Sequence, residues 1–316
     1  MAADRAHPAI SRFTDMMSKV IVGNEAAIRL ALTAFLTGGH ILIEDVPGVG
    51  KTLLARTFAR CLGLQFRRVQ FTPDLLPSDI TGINVFNPKT REFEFKPGPV
   101  FCDILLADEI NRATPRTQSS LLECMQERQV TVDGETHRLS PHFTVVATQN
   151  PIELQGTFPL PEAQMDRFLM RIHLGYPDEA EENEILRRFE QGTDIRPDSP
   201  LTQDEIAELK EGVKRVYLAD DVRSYISSIC RLTRKLDAVE LGASPRASLS
   251  LALASKAYAF IEGRDFVLPD DVKALAVPVL AHRLVISQDS FIRGISAQDI
   301  IMQVLNGVTV PIGDKG

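Results

Sequence analysis

The sequence predicts a parallel α/β sheet domain carrying inserted β-hairpins, followed by a small all-helical domain, and three observations predict it. Short apolar β-type runs alternate with helical segments from Ile41 to Leu174, the pattern of a sheet covered by helices on both faces. A Gly-rich turn, Asp45-Val46-Pro47-Gly48-Val49-Gly50-Lys51-Thr52, joins the first such run to the helical Leu53-Leu54-Ala55. Past Gly175-Tyr176-Pro177 the strand signals stop and only helical periodicity continues. The expected domains are therefore residues 1–176 and 177–316.

The expected sheet strands are Ile41–Ile43, Phe66–Phe71, Asp103–Ala107, Phe143–Ala147 and Met170–Leu174. Helices are expected over Lys51–Cys61 and from Thr114 onward, where Pro115 suits the first helical position and Leu121, Leu122 and Met125 share a face. Two stretches interrupt the alternation. Val85–Phe95 turns around Asn87-Pro88-Lys89-Thr90, and Val130–Leu139 turns at Asp133-Gly134, whose residue types favour the left-handed backbone of a tight hairpin.

In the second domain Thr202 and Glu205 form a capping box before Ile206, Leu209 and Val213. Further stripes are Val222, Ile226 and Ile229; Leu249, Leu253, Ala257 and Phe260; and Val272, Leu275, Ala276 and Val279 behind Pro269-Asp270-Asp271, with Pro278 expected to kink that last helix. The polar stretch Gly192–Ser199 reads as a loop.

Composition narrows the class. The chain has 316 residues, 44% of them hydrophobic and 24% charged, enough to bury a substantial core. Its net charge of −7 argues against a surface built mainly for nucleic acid. No signal-peptide core or membrane-length apolar run occurs, so a cytoplasmic protein without direct membrane insertion is expected. Cys61, Cys102, Cys124 and Cys230 are scattered in apolar surroundings and share no ligand spacing with the six His, which predicts buried thiols and no structural metal.

The Gly-rich turn is a phosphate-binding loop. A strand that feeds such a turn into a helix leaves several backbone N–H groups aimed at one spot, where the helix dipole also favours negative charge. Gly48 and Gly50 let the chain curl round phosphates, Lys51 reaches their terminal oxygens, and the Thr52 hydroxyl is a Mg²⁺ ligand. The strict pattern has Gly at the first position. Asp45 stands there, a residue that tolerates left-handed backbone but adds a carboxylate near the phosphates.

The apolar run Ile104-Leu105-Leu106-Ala107 ends in Asp108-Glu109. A carboxylate at the end of a strand beside the loop strand holds hydrated Mg²⁺, and its neighbour polarises a water for in-line attack on the γ-phosphate. Phe143–Ala147 leads into Thr148-Gln149-Asn150-Pro151, where Asn150 is either a hydrogen-bonding partner of that water or a turn-forming Asn-Pro.

Together these segments resemble the AAA+ ATPases, and more narrowly the MoxR family. The resemblance is carried by Glu44 through Thr52, Leu106-Ala107-Asp108-Glu109-Ile110-Asn111-Arg112, Leu121-Leu122-Glu123-Cys124-Met125-Gln126-Glu127-Arg128, Ala147-Thr148-Gln149-Asn150-Pro151 and Gln164-Met165-Asp166-Arg167-Phe168, within a match from about Ile21 to Arg283. Asp45 looks like this family's own variant of the loop. The resemblance implies an AAA+ P-loop sheet domain and a helical lid, with ATP and Mg²⁺ held by residues Asp45 to Leu53. It also implies that Asn150 is sensor 1, that Arg167 is an arginine finger reaching a neighbouring subunit, and that Arg246, in Gly242-Ala243-Ser244-Pro245-Arg246-Ala247, is sensor 2. Arg112 and Arg116 are near the site without assigned roles.

A finger acting in trans implies a homo-oligomeric ring, a hexamer by resemblance, in which such hairpins face the central channel. The implied work is remodelling or activation of client proteins, with a partner carrying a von Willebrand factor A domain. Two alternatives stay open, a metal-chelatase-type motor subunit and a nucleotide-gated scaffold with little turnover, and Glu109 and Arg167 speak against the second. A DNA-translocating motor is disfavoured by the acidic balance, and no Asn-Lys-x-Asp segment marks a GTPase.

Overall fold

A computed structural model describes residues 7–151, 156–190 and 200–311. Strands β1 (Ile41–Glu44), β2 (Phe66–Gln70), β5 (Ile104–Asp108), β8 (Thr144–Gln149) and β9 (Met170–Ile172) form one sheet in the order β2-β5-β8-β1-β9, every pair parallel. Each expected sheet strand is present, with ends moved by one or two residues. Strands β3 (Gly82–Asn87) and β4 (Glu92–Pro97) make the first hairpin, and β6 (Gln129–Val132) and β7 (Glu135–Arg138) the second. The second turns at Asp133 and Gly134, both with positive φ, 49° and 86°, as that dipeptide foretells. The first extends further toward its root than the sequence indicates, by three residues on β3 and two on β4, with Gly82 paired to Pro97.

Both faces of the sheet are buried except along edge strand β2, and the side chains divide with the two-residue period of a strand. Ile41, Ile43, Ile104, Leu106, Val146, Met170 and Ile172 join the core under helices Pro8–Val20, Glu25–Leu36 and Lys51–Cys61. Leu42, Leu105, Ala107, Val145 and Ala147 pack on the opposite side with Leu121, Leu122 and Met125 of helix Pro115–Glu127, and with Phe71, Phe143 and Phe168. The apolar run Ile104-Leu105-Leu106-Ala107 is therefore continuous because it has no solvent face.

The C-terminal part comprises helices Glu179–Glu190, Gln203–Arg215, Asp220–Thr233, Pro245–Ile261, Pro269–Leu280, Gln288–Ile292 and Ala297–Gly307. The expected capping box forms, with the Glu205 N–H donating to Thr202 Oγ1 at 3.2 Å and the Thr202 N–H to Glu205 Oε2 at 2.8 Å. The helix holding Pro278 ends at Leu280 and passes into a 3₁₀ turn over Ala281–Arg283. Two details differ from the sequence reading. A short antiparallel ribbon, Val239–Leu241 with Val285–Ile286, interrupts the helices. Helix Pro245–Ile261 buries Ala247, Leu251, Ala254 and Ala257 and leaves Leu249 and Leu253 exposed, because a helix apolar on nearly every side does not reveal its inner face by periodicity. The Gly192–Ser199 loop lies outside the described residues.

The first two helices had no assignment from sequence, and they tie the sheet to the lid. Arg12 pairs with Glu205 at 2.6 Å and Arg29 with Glu262 at 2.9 Å, over a core shared with Ile206, Leu209, Leu251 and Ala254. All four cysteines are free and buried, and burial pushes the thiols of Cys61, Cys102 and Cys124 up to about 12. Among the described residues no helix is long and apolar enough to cross a membrane and no cluster of metal-binding side chains occurs.

Candidate nucleotide site

The loop after β1 and the ends of β5 and β8 meet at the C-terminal edge of the sheet, where the strand order β8-β1-β9 places neighbours on both sides of the loop strand. Pro47, Gly48, Gly50, Lys51, Thr52, Leu53, Asp108, Glu109 and Asn150 line one cavity of about 450 Å³. A larger cavity, about 510 Å³, opens on the other side of Gly48, Val49, Gly50 and Leu53. It is walled by Ile21 and Val22, by Leu174, Gly175 and Pro177, and by Ile185 and Phe189 of the helix that follows. A chamber that gathers Lys51, Thr52, Asp108, Glu109 and Asn150 and a second, largely apolar chamber thus meet at the Gly-rich loop, an arrangement suited to a nucleotide's phosphates and base.

Gly48 and Gly50 both have φ of +88°, a conformation open to Gly at no steric penalty, and nothing lies within 4 Å of where a side chain would start. The cradle above them is open. Lys51 Nζ donates to the Asp45 carbonyl at 2.6 Å. Burial pulls the Lys51 ammonium below its usual pKa, against the opposing effect of the Asp45, Asp108 and Glu109 carboxylates.

Asp45 requires a correction. Its backbone is not left-handed, and its carboxylate turns toward the lid junction: Oδ2 accepts from the N–H groups of Leu174 at 2.6 Å and Gly175 at 2.8 Å, and Oδ1 from the Val46 N–H at 3.0 Å. Val46 contributes to the loop through this bond. Adjacent Glu44 binds Gln149 Nε2 at 2.9 Å and Arg171 at 2.8 Å, so β8, β1 and β9 are fastened at their ends by side chains as well as by the ladder.

Asp108, buried at the end of β5, accepts from the Thr148 hydroxyl at 2.6 Å through Oδ1 and from Arg68 at 2.7 and 3.0 Å through Oδ2. The same Thr148 oxygen accepts from the Glu109 N–H at 2.9 Å. This bond steadies a left-handed residue: Glu109 has φ 56° and ψ 50°, a conformation that costs a non-Gly residue about 1–2 kcal/mol. Its carboxylate accepts from Gln70 Nε2 at 2.7 Å and from Arg112 at 3.1 Å.

Arg167 and Arg246 line neither cavity. Arg167 Nη1 donates to the Leu122 carbonyl at 2.7 Å, and the exposed Arg246 guanidinium lies 3.7 Å from Asp166, which Arg283 also approaches at 3.4 Å. Asp166 is thus the carboxylate that faces the Arg246 guanidinium.

Comparison with known proteins decides the family. Residues 40–170 match the ATPase family associated with various cellular activities (AAA), and residues 231–304 match an AAA lid domain. The chain is 42% identical to a protein named chaperone MoxR1 from Mycobacterium tuberculosis, over 93% of this chain and 80% of that one. The chain belongs to the MoxR family of AAA+ ATPases. A second MoxR protein, from Paracoccus denitrificans, is 34% identical over 88% of this chain and 89% of its own. A crystal structure of a candidate ATPase from Cytophaga hutchinsonii superposes with a TM-score of 0.89 at 41% identity, covering 96% of this chain and 95% of that one.

Within this MoxR-family fold, sequence reasoning found Lys51, Thr52, Asp108, Glu109 and Asn150, and the structure brings all five to one cavity. It missed Arg68, Gln70 and Thr148. The available signal was the polar pair at alternate positions of the strand Phe66–Gln70, which places both on one face. What it lacked was the register, which sets Gln70 opposite Asp108.

Proposed function

We propose that this chain binds Mg²⁺–ATP between the two cavities and hydrolyses it to ADP and phosphate within a ring, using turnover to remodel or activate client proteins. The observation that carries the reading is the convergence of Lys51, Thr52, Asp108, Glu109 and Asn150 on one cavity at the Gly-rich loop. The donor set fits the metal: a hydroxyl and a carboxylate are hard oxygen ligands, and the cradle over Gly48 and Gly50 is open. Thr52 and Asp108 would hold Mg²⁺, which supplies positive charge to offset that of the phosphates.

The remaining work falls to this chain's own groups. Loop N–H groups and Lys51 bind phosphate oxygens and keep the γ-phosphorus in line. Glu109 accepts the proton of the attacking water, while Asn150 orients that water. The new O–P bond forms as the bond to the β-phosphate bridging oxygen breaks, releasing ADP.

Arg167 lies outside its own subunit's cavities, which supports a role toward a neighbour and hence a ring, most simply a hexamer. Exposed aromatic side chains on the first hairpin, Phe86 and Phe93 at 51% and 72%, supply apolar surface for a client. A relative's name contains the word chaperone, which agrees with that use. A von Willebrand factor A domain partner would be a separate protein.

Phosphate release by the purified chain tests the reading. Turnover with ATP and Mg²⁺, abolished by chelation and by Lys51→Ala, is expected; unchanged turnover in a folded Lys51→Ala protein would remove the loop from the mechanism.

A further inference from the structure

The carboxylate that the proposed function gives to Mg²⁺ already has a cation. Both Asp108 oxygens are engaged, Oδ1 by Thr148 and Oδ2 by two nitrogens of the Arg68 guanidinium, Nε at 3.0 Å and Nη2 at 2.7 Å. The pairing is set by the sheet. Arg68 lies opposite Leu106 on β2, two residues before Gln70, so its side chain runs along the strand face toward Asp108, the partner of Gln70. Arg68 Nη2 also donates to Gln70 Oε1 at 2.8 Å, and Gln70 Nε2 donates to Glu109 at 2.7 Å. One guanidinium therefore touches the metal-facing carboxylate directly and the proposed base through a single amide.

Its surroundings are unequal. The Asp108 side chain is 11% exposed and that of Arg68 is 48% exposed, so the carboxylate is fixed in the sheet while the guanidinium approaches from the solvent side along an edge strand. A buried carboxylate left without a counter-charge is unfavourable, and Arg68 supplies one. A second cation at the same carboxylate is repelled by the first, and Mg²⁺ demands tight oxygen coordination that two guanidinium donors on Oδ2 obstruct.

We propose that Arg68 is a tethered counter-cation that holds Asp108 before metal arrives and leaves it when Mg²⁺ binds. This inference rests on the reading of Asp108 as the metal-facing carboxylate. Removal of Arg68 from Asp108 also releases its hold on Gln70, so metal arrival loosens the amide that restrains Glu109. Arg68 is a positioning residue: it sets the metal requirement and acts on the chemistry only through its neighbours.

The test measures the Mg²⁺ concentration that half-saturates binding of a non-hydrolysable ATP analogue, by calorimetry on the full chain at stepped Mg²⁺. Arg68→Gln and Arg68→Ala should lower that concentration roughly two- to fivefold, the size expected for a half-exposed ion pair. Arg68→Lys, which keeps the charge but not the planar fork, should fall between them and the parent protein. If Arg68→Ala does not fold, the order Gln, Lys, Arg carries the test. An equal or higher Mg²⁺ requirement in a folded Arg68→Gln protein overturns the inference. Asp108→Asn separates it from the underlying reading. An unchanged requirement there removes Asp108 from the metal site and the inference with it; a raised requirement there with no change in the Arg68 variants overturns the inference alone.

Discussion

The Asp45 carboxylate at the start of the phosphate loop accepts the backbone N–H of Gly175, at 2.8 Å, where the chain leaves the sheet for the helical lid. With the matching bond from Leu174, this makes the first residue of the loop a latch on the junction. A loop that shifts around phosphates pulls on the segment walling the apolar cavity, since Leu174 and Gly175 line it.

Asp45→Ala should therefore retain the fold and lose about 1.5–3 kcal/mol of stability, the range for hydrogen bonds to a charged group. Hydrogen exchange should quicken at Leu174 and Gly175. Unchanged protection at both amides would mean that the latch does not restrain the junction.

Stability should fall in mild acid, partly through His40. Its Nδ1 accepts from the Val145 N–H at 3.0 Å, so Nε2 carries the hydrogen and donates to the Met125 carbonyl at 3.0 Å. Burial pushes its pKa down to about 4 from 6.5. The unfolded chain then binds the proton more readily, so the contribution is fully present above pH 6.5 and is lost as pH falls toward 4. Between pH 7 and pH 5 this single group should remove about 2 kcal/mol. Denaturant midpoints at the two pH values check it: a folded His40→Gln variant should show a smaller drop than the parent, and an equal drop would acquit His40.

Arg167→Ala should leave ATP binding largely intact and cut turnover strongly, since arginine fingers in phosphoryl transfer contribute roughly 10³ to 10⁵ in rate. Mixed with Lys51→Ala subunits it should regain activity, because a site with intact Lys51 borrows Arg167 from a neighbour. Subunits that exchange and assemble normally yet stay inactive at every ratio would rule out a shared site.

Much of this was legible because local chemistry and global position agree. The loop residues Gly48 to Thr52 declare themselves, since their types follow from backbone geometry and phosphate charge. Asp108 and Glu109 do so because an apolar strand ends in two acids. The lid-facing turn of the Asp45 side chain was not legible: its partners are backbone amides far along the chain, and amides leave no residue-type trace. Arg68 and Gln70 escaped for a related reason, because their meaning depends on the register between two parallel strands joined by a long connection. The inner face of helix Pro245–Ile261 was misread because its composition is apolar all round.

The most direct measurement of the central claim compares ATP binding and phosphate release in the Glu109→Gln protein. The substitution preserves shape and hydrogen bonding but removes the group that takes the proton from water. Binding by calorimetry should match the parent, and phosphate release should fall by about 10² to 10⁴, the usual contribution of a positioned general base. Release near the parent rate with binding intact would place the activation of water elsewhere and contradict the assignment of this site.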